Sequence, residues 1–218
     1  LIKVLEHLLR TSNLEHTWIF DLDNTLHNAE QKIFPVINQK INHYISKELK
    51  INLDDADQLR QKYWDQYGAT LEGLIKYHKI NPNKFLEETH KVDNLEELVV
   101  PMPNLKNTLD SIKAPKILYT NAPNNYTKTI LKKCDIEDYF DSIFSIEDAN
   151  FKPKPSKISM ELFLNKYKIK KAYFVDDIKE NLETAHKFGL FTIWLSNHKE
   201  DPKFIDKKIS QLSDLITD

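Results

Sequence analysis

Two carboxylates separated by one residue follow a short apolar segment near the start of the chain. Residues 17–20 are β-branched or aromatic, which is typical of a strand buried on both faces. Asp21 and Asp23 come next, and because side chains alternate along an extended chain, the two carboxylates face the same side. Asn24 and Thr25 then provide turn residues. Such a pair either binds a cation or divides the roles of nucleophile and acid/base.

Further polar side chains occur where other strands are predicted to end. In open α/β sheets, ligands bind beyond the carboxyl ends of the strands, so these positions belong with the acidic pair. Three segments supply them: Thr120 and Asn121 at the end of the predicted strand 116–120, Lys152 and Lys154 before the predicted helix 156–167, and Asp176 and Asp177 at the end of the predicted strand 172–176. The two lysines precede a helix N-terminus, where anions are favoured. The sequence therefore predicts that carboxylates, a hydroxyl, an amide and a lysine converge at one edge of a sheet.

Hydrophobic periodicity indicates which elements position these side chains. Apolar residues recur at helical spacing in residues 36–49, 56–67 and 71–89, so residues 33–100 are predicted to be entirely helical. From Pro101 onward, predicted helices and strands alternate, which is typical of a parallel sheet covered by helices. The predicted strands are 116–120, 142–146, 172–176 and 190–195, and the predicted helices are 104–113, 124–133, 156–167 and 179–188.

The strand at 17–20 must join the later strands to complete the sheet. The predicted fold class is therefore α/β, a doubly wound (Rossmann-like) parallel sheet core with an inserted all-helical cap domain. The core domain is predicted at residues 1–32 and 101–218, and the cap domain at residues 33–100. A short amphipathic helix is predicted around residues 2–9, and residues 198–218 are predicted to form a solvated segment with a short helix near 209–216.

The composition limits the classes of function. The 218-residue chain has a formal net charge of −2, with 31 Lys and Arg against 33 Asp and Glu, so a nucleic acid polymer is not an expected partner. The single cysteine, Cys134, excludes an intramolecular disulfide, and neither a signal peptide nor an apolar run of membrane-spanning length is visible. A cytoplasmic location with no membrane partner is therefore expected, and the oligomeric state stays open.

The order of these motifs resembles that of the haloacid dehalogenase-like superfamily, and the resemblance extends over residues 17–197. It rests on D-x-D-x-T after an apolar strand, a later Thr, a Lys before a helix, and an acid at the end of a further strand. For the phosphatase members, the resemblance implies these roles: Asp21 as nucleophile, Asp23 as acid/base, Thr120 and Asn121 at the phosphate, Lys154 as the phosphate-binding lysine, and Asp21, Asp23 and Asp177 at Mg²⁺. The dehalogenases of this superfamily lack an Asp at the position of Asp23.

Two motifs leave alternatives within this resemblance. Lys152 also fits the K-P-x-P form of the lysine motif, but Lys154 is favoured because it stands at the usual distance from the following helix. Asp176 replaces a frequent Gly, and Leu182 stands where many relatives carry another acid. Asp176 is therefore a possible second metal ligand.

The implied chemistry is phosphoryl transfer, which needs an in-line nucleophile, neutralised equatorial oxygens and a protonated leaving group. A site of carboxylate oxygens suits Mg²⁺. Asp21 would attack phosphorus to give an aspartyl-phosphate, while Thr120 and Lys154 stabilise the transferring oxygens. Asp23 would protonate the leaving alcohol and later take a proton from water. The expected protein is a Mg²⁺-dependent phosphomonoester hydrolase.

The cap domain carries an unusual string, YWDQYGATLEGL, at residues 63–74. Gly68 is predicted to end one helix within it, and Thr70 to cap the next. Together with DNTLHNA at 23–29 and TNAP at 120–123, this string resembles the pyrimidine 5′-nucleotidase branch of the superfamily. The resemblance implies a small-molecule phosphomonoester as substrate, a nucleoside monophosphate such as UMP or CMP.

A helical insert directly after the first motif is the type of lid that closes an active site and selects the leaving group. Four residues are candidates for leaving-group contacts: Asn28, Tyr67, Thr70 and His78.

Three other functions are alternatives to a nucleotidase. A sugar-phosphate phosphatase or phosphomutase would use the same nucleophile with a different cap preference. A catalytically silent binding protein would lack the nucleophile, the acidic cation site or the lysine, and the sequence contains all three. A receiver-like signalling domain carries its acidic pair as adjacent residues and has no large helical insert there, so the D-x-D spacing argues against it.

Overall fold

Six parallel strands form one sheet within residues 16–216, the part of the chain that this computed structural model describes. In chain order they are β1 (Thr17–Phe20), β2 (Lys116–Tyr119), β3 (Ser142–Phe144), β4 (Ala172–Asp176), β5 (Phe191–Leu195) and β6 (Lys207–Ile209). Their spatial order is β3-β2-β1-β4-β5-β6, so the order reverses at β1, which lies between β2 and β4. Ligands of doubly wound sheets bind at this reversal. The predicted doubly wound parallel sheet is confirmed.

Nine α-helices accompany the sheet in the described residues. They are α1 (Ile33–Leu49), α2 (Leu53–Tyr67), α3 (Thr70–His78), α4 (Pro82–His90) and α5 (Leu95–Leu98) in the insert, and α6 (Leu105–Ser111), α7 (Asn124–Cys134), α8 (Lys157–Tyr167) and α9 (Lys179–Lys187) in the core. Residues 33–98 thus form helices and no strand, while the domain boundaries at 33 and 100 stay a prediction. None of the helices between residues 16 and 216 has the length and apolar character that a membrane crossing requires.

Alternate residues of the strands pack on opposite faces of the sheet. Phe20, Leu118 and Val175 face a core shared with α6 and α7, whereas Ile19 and Phe174 face a core shared with α8 and α9. Because helices cover both faces, the central strands β1, β2 and β4 are mostly apolar rather than alternately apolar and polar. Burying one such side chain contributes about 1.5–3 kcal/mol, so a slip in register would be costly and the strand ends are held in place.

Local signals set the boundaries of the cap helices. The side chain of Asn52 accepts a hydrogen bond from the N–H of Asp55 at the start of α2, and Asn81 does the same for Lys84 at the start of α4. Helix α2 ends at Gly68, whose φ of 78° lies in the left-handed region that glycine adopts without strain. The predicted helix end at Gly68 is confirmed.

Thr70 does not cap α3, as the sequence predicts. Ala69 occupies the N-cap position, and Thr70 is the first residue of the helix. The prediction is wrong because Thr70 is buried against α2, where its hydroxyl donates to the carbonyl of Arg60 at 3.0 Å instead of bonding the first turn of α3.

The carboxyl-terminal segment also differs from its prediction. Where the sequence predicts a solvated segment, residues 207–209 form β6 and pair in parallel with β5. Ile209 and Leu212 are buried in the core, and a 3₁₀ turn over Leu212–Ile216 takes the place of the predicted helix. The helix predicted around residues 2–9 lies outside the described residues.

The end of α2 touches the core at the loop that precedes α8. A Cβ atom at Gly68 would lie 2.3 Å from the carbonyl oxygen of Lys154 and 2.7 Å from Cδ of Pro155, so only glycine permits this approach. Nearby, Nζ of Lys152 donates to Oε1 of Glu72 in α3 at 3.0 Å. The cap therefore rests on the loop that carries both candidate lysines.

Gly68→Ala tests this contact, and Gly189→Ala is its matched control. The two glycines have φ of 78° and 77°, so the backbone strain of an alanine is the same at both, while a Cβ at Gly189 meets no atom within 4 Å. We expect Gly68→Ala to lower the free energy of unfolding by about 1–3 kcal/mol more than Gly189→Ala, because only the former overpacks the cap against the core. Urea unfolding measures both. Equal losses would show that the cap does not rest on this loop in solution.

Candidate active site

Three carboxylates meet at the carboxyl edge of the sheet. Asp21 directly follows β1, and its N–H donates to the carbonyl of Val175 at 3.0 Å, so the pairing of β1 with β4 continues beyond the strand. Asp176 ends β4, and Asp177 follows it. One oxygen of each of the three carboxylates lies within 4.8 Å of the others. The strand register thus brings together acids that are about 155 residues apart in sequence.

A buried lysine pairs with two of these acids. Nζ of Lys154 donates to Oδ1 of Asp21 and to Oδ2 of Asp176, both at 2.7 Å, and the lysine side chain is 2 % exposed. Lys152 instead reaches Glu72 of the cap and is 43 % exposed. Of the two lysines that fit the motif, the structure therefore brings Lys154 to the acidic group.

The backbone of Lys154 is fixed by Asn121, in the loop after β2. Oδ1 of Asn121 accepts from the N–H of Lys154 at 2.7 Å, and its Nδ2 donates to the carbonyl of Lys154 at 3.1 Å. The rings of Tyr119 and Phe174 lie 5.2 and 5.4 Å from Nζ, within the range of cation–π attraction. Asn121, predicted to lie at the phosphate, uses its amide to position the lysine.

Hydrogen bonds from the protein occupy Asp176. It accepts from Lys154, from Nδ2 of Asn181 at 3.0 Å and from the N–H of Ile178 at 2.8 Å. Asp21 accepts a side-chain hydrogen bond on Oδ1, from Lys154. Within the described residues, its Oδ2 accepts none. A set of carboxylate oxygens is what Mg²⁺ prefers, and Asp21 and Asp177 are better placed than Asp176 to provide them.

Burial and mutual repulsion disfavour the ionised forms of these carboxyls. Burial, with the charges of Asp176 and Asp23 adding to it and Lys154 opposing it, raises the pKa of Asp21 to about 7. Burial and the charges of Asp21 and Asp176 likewise raise the pKa of Asp177 to about 9. Burial alone would lower the pKa of Lys154, but the charges of Asp176 and Asp21 raise it. One ammonium cannot neutralise three ionised carboxylates, so the group retains a proton unless a divalent cation supplies the missing positive charge.

The carboxylate of Asp23 lies outside this acidic group. Its Oδ1 accepts a hydrogen bond from Oη of Tyr126 at 2.6 Å and lies 2.9 Å from Nε2 of His27. Asp23 lines the same cavity as Asp177 but is not one of the three clustered carboxylates. The geometry favours the predicted acid/base role of Asp23 over its predicted role as a side-chain metal ligand.

Thr120 directly follows β2 and precedes Asn121, the residue that holds the backbone of Lys154. Its Oγ1 accepts from the N–H of Ala122 at 3.0 Å, and its own N–H donates to the carbonyl of Phe144 at 3.0 Å. Because a hydroxyl accepts and donates at the same time, Thr120 retains a hydrogen for a phosphate oxygen.

A cavity of about 480 Å³ lies between the cap and this edge of the sheet. Residues that line it include Asp23, Asn121 and Asp177 from the core and Asn38, Arg60, Trp64 and Thr70 from the cap. Of the four predicted leaving-group residues, Thr70 is the one that reaches this lining.

The other three predicted leaving-group residues have partners elsewhere. Nε2 of His78 lies 2.8 Å from Oη of Tyr63, between α2 and α3, and Oη of Tyr67 lies 2.8 Å from Oη of Tyr77. Oδ1 of Asn28 accepts from the N–H of Gln31 at 3.2 Å, in the loop before α1. None of Asn28, Tyr67 and His78 belongs to the cavity lining.

Several residues of the site are not predicted by the motifs. They are Tyr126 and His27 at Asp23, and Asn38 and Arg60 in the cap. Tyr126 carries a usable signal, because it lies in the first turn of the helix that follows the Thr120 loop, close to the sheet edge. The cap residues carry no comparable signal, since polar residues on a helix are normally solvated.

The sequence and the structure were compared with known proteins. A family profile described as haloacid dehalogenase-like hydrolase matches residues 18–195. The chain is 27% identical over 192 residues to Phosphate metabolism protein 8 of Saccharomyces cerevisiae, a match that covers 79% of this chain and 59% of that protein. The chain therefore spans less than two thirds of the length of that relative.

A second relative matches over almost its whole length. It is the Glyceraldehyde 3-phosphate phosphatase of Methanocaldococcus jannaschii, 23% identical over 220 residues, with 91% of this chain and 94% of that protein covered. Among solved structures, a HAD phosphatase from Thermococcus onnurineus has a TM-score of 0.65 at 20% identity and covers 92% of this chain and 95% of its own. This structural likeness shows a shared fold.

The protonated acidic group predicts a pH dependence of the metal-free protein. The pKa of Asp177 is raised from 3.8 to about 9, so the folded state keeps a proton that the unfolded state releases, and stability falls as the pH rises through this range. In EDTA, we expect the free energy of unfolding of the wild type to fall by about 1–2 kcal/mol more than that of Asp177→Asn between about pH 6 and about pH 8.5. Urea unfolding at both pH values measures this difference, and Mg²⁺ should reduce it. Parallel pH dependences of the two proteins would contradict the raised pKa.

Proposed function

The chain belongs to the haloacid dehalogenase-like hydrolases, and from this membership we propose that it is a magnesium-dependent phosphomonoester hydrolase that reacts through an aspartyl-phosphate. The observation that carries the proposal is the pairing of the buried Lys154 with Asp21, next to Asp177. Asp23, two residues after Asp21, favours a phosphatase over a dehalogenase. Two relatives whose names refer to phosphate metabolism and to a phosphatase support the same reaction class.

Asp21 serves as the nucleophile. Lys154 holds Asp21 through Oδ1, and the carboxylate attacks phosphorus, opposite the leaving oxygen, with the oxygen that does not bind the cation. The bond from phosphorus to the leaving oxygen breaks as the bond to Asp21 forms. Lys154 uses two of its three ammonium hydrogens on Asp21 and Asp176, so the third is available to a phosphate oxygen together with the hydroxyl of Thr120. Water then hydrolyses the aspartyl-phosphate and restores the carboxylate.

Asp23 serves as the acid and base of the two steps. It protonates the leaving alcohol in the first step and takes a proton from the attacking water in the second. Its place in the lining of the cavity, apart from the clustered acids, supports this role on the leaving-group side.

Asp21 and Asp177 would hold the Mg²⁺, with Asp176 beside them. The cation would balance the negative charge of the acids and of the phosphoryl group. Burial and the charges of Asp21 and Asp176, which raise the pKa of Asp177 when no cation is bound, support a cation at this place.

For the substrate, we propose a nucleoside monophosphate such as UMP or CMP. Trp64 lines the cavity and is 48 % exposed, so its ring offers a flat surface on which a base can stack. On the same wall, Nη1 of Arg60 lies 3.4 Å from Oδ1 of Asn38, which leaves Nδ2 of Asn38 to donate to a carbonyl oxygen. Uracil and cytosine both carry such an oxygen.

A small sugar phosphate is the second candidate substrate. The relative named Glyceraldehyde 3-phosphate phosphatase supports it, because its length is close to that of this chain. A three-carbon leaving group bound at Asp23 would be too short to stack on a cap side chain. The two candidates therefore differ in whether Trp64 contributes to the rate.

Asp21→Asn tests the reaction. Asp110→Asn is its matched control, because it removes one carboxylate from the exposed side of α6. We expect Mg²⁺-dependent phosphate release by the wild type and by Asp110→Asn, and a loss of at least about 10³-fold in kcat for Asp21→Asn, because the covalent route is removed. Phosphate release from UMP, CMP, AMP, GMP and sugar phosphates, with and without Mg²⁺, is the measurement. Turnover retained in Asp21→Asn would refute the mechanism, and a wild type that releases no phosphate would favour the silent binding protein.

Trp64→Ala tests the substrate, and Tyr77→Ala removes another exposed cap aromatic that does not line the cavity. If a base stacks on Trp64, kcat/KM for UMP or CMP should fall by about 10- to 100-fold in Trp64→Ala, and by less than about threefold in Tyr77→Ala. The kcat/KM for glyceraldehyde 3-phosphate should be nearly the same in all three proteins. Loss of activity toward both substrates alike would show that Trp64 supports the cap rather than a base.

A further inference from the structure

A tyrosine that the sequence motifs leave unassigned binds Asp23. Tyr126 is the third residue of α7, which begins directly after residues 120–123. Its Oη donates to Oδ1 of Asp23 at 2.6 Å. Its ring is buried, with the rings of His27 and His90 at centroid distances of 6.5 and 6.0 Å.

We propose that Tyr126 is a positioning residue that, together with His27, holds Oδ1 of Asp23 and so keeps Oδ2 turned toward the leaving group. This inference rests on the proposed phosphoryl transfer and extends it to a residue outside the motifs. It also explains why Asp23 is separated from the clustered acids.

The hydroxyl of Tyr126 is the donor in this contact. An ionised carboxylate has no hydrogen to donate, whereas a phenol hydroxyl has one, so Tyr126 gives its hydrogen to Oδ1 of Asp23. At 2.6 Å the contact has the length of a hydrogen bond from a hydroxyl to a charged oxygen, which is stronger than one between neutral groups. The ring itself is fixed by its burial.

His27 binds the same oxygen from a second direction. Its Nε2 lies 2.9 Å from Oδ1 of Asp23, its ring is fully buried, and its Nδ1 has no hydrogen-bond partner among the described residues. An unpaired buried N–H is rarer in proteins than an unpaired acceptor, so the tautomer with the hydrogen on Nε2 fits this environment. In that tautomer, His27 is the second donor to Oδ1.

Two donors on one oxygen determine where Asp23 can carry a proton. A carboxyl group places its acidic hydrogen on an oxygen toward which no other hydrogen already points, and here that oxygen is Oδ2. Asp23 lines the cavity next to the cap, where the leaving group is expected. Rotation of the carboxyl group would break both hydrogen bonds, so Tyr126 and His27 favour the orientation that delivers the proton to the leaving oxygen.

The dependence of the rate on the leaving group tests this inference in Tyr126→Phe. An alkyl phosphate needs a proton on its departing oxygen, whereas 4-nitrophenyl phosphate releases a stable phenolate without one. We expect kcat/KM of Tyr126→Phe to fall by about 10- to 100-fold for the best alkyl phosphate of the wild type and by less than about threefold for 4-nitrophenyl phosphate. Because kcat/KM covers only the steps up to departure of the leaving group, hydrolysis of the aspartyl-phosphate does not enter the comparison.

Two further variants serve as references for Tyr126→Phe. Asp23→Asn should show the same preference for 4-nitrophenyl phosphate to a greater degree, since it removes the acid itself. Tyr167→Phe is the matched control, because it removes a tyrosine hydroxyl that donates to the carbonyl of Ile143 at 3.2 Å, away from Asp23. It should leave both values of kcat/KM within about twofold of the wild type.

Equal losses for both esters in Tyr126→Phe, or no loss for either, would overturn the positioning role of Tyr126 and leave Asp21 as the nucleophile. A wild type that releases phosphate from neither ester would overturn the proposed function itself. Selective loss for the alkyl ester, with a thermal midpoint close to that of the wild type, would support both.

Discussion

The ion pairs of Lys154 with Asp21 and Asp176 are the contacts on which the site depends most. An ammonium that is 2 % exposed costs several kcal/mol to bury unless acidic groups are held against it. Those acids come from β1 and β4, and the lysine backbone is held by Asn121 after β2. The lysine is therefore paired only when three strands and the loop before α8 are all in place. Completing this part of the fold and bringing Lys154 to its acids are therefore the same event.

The central part of this fold can be predicted because its signals are local. Apolar runs of four or five residues, alternating with helical periods, are enough to predict β1 to β5, and a parallel arrangement then follows. Strand β6 lacks such a signal, since it has three residues and two of them are Lys207 and Lys208. Backbone pairing with Ile193–Leu195 and the burial of Ile209 make it a strand. Both depend on β5 being in place, which a local pattern does not contain.

The same distinction applies to the site. Asp21, Thr120 and Asp177 can be predicted to converge because the carboxyl ends of parallel strands share one edge, whatever the details of packing. The face that a cap helix turns to the cavity depends on its rotation, and the packing of α2 on α3 sets that rotation. A Cβ at Gly73 would lie 2.2 Å from the ring of Tyr63, so these helices meet closely, and His78 at the end of α3 turns to the hydroxyl of Tyr63. The cavity wall is formed instead by residues such as Arg60 and Trp64.

The cap and the group formed by Lys154 and its acids are joined through one short loop. Gly68 ends α2 against the carbonyl of Lys154, and Glu72 of α3 pairs with Lys152 two residues earlier. Trp64, on the cavity wall, lies one helical turn before Gly68. A shift of α2 large enough to change the space for a leaving group must therefore also move against the backbone of Lys154. For this reason, a change in substrate preference through α2 should be difficult to separate from a change in the rate of phosphoryl transfer.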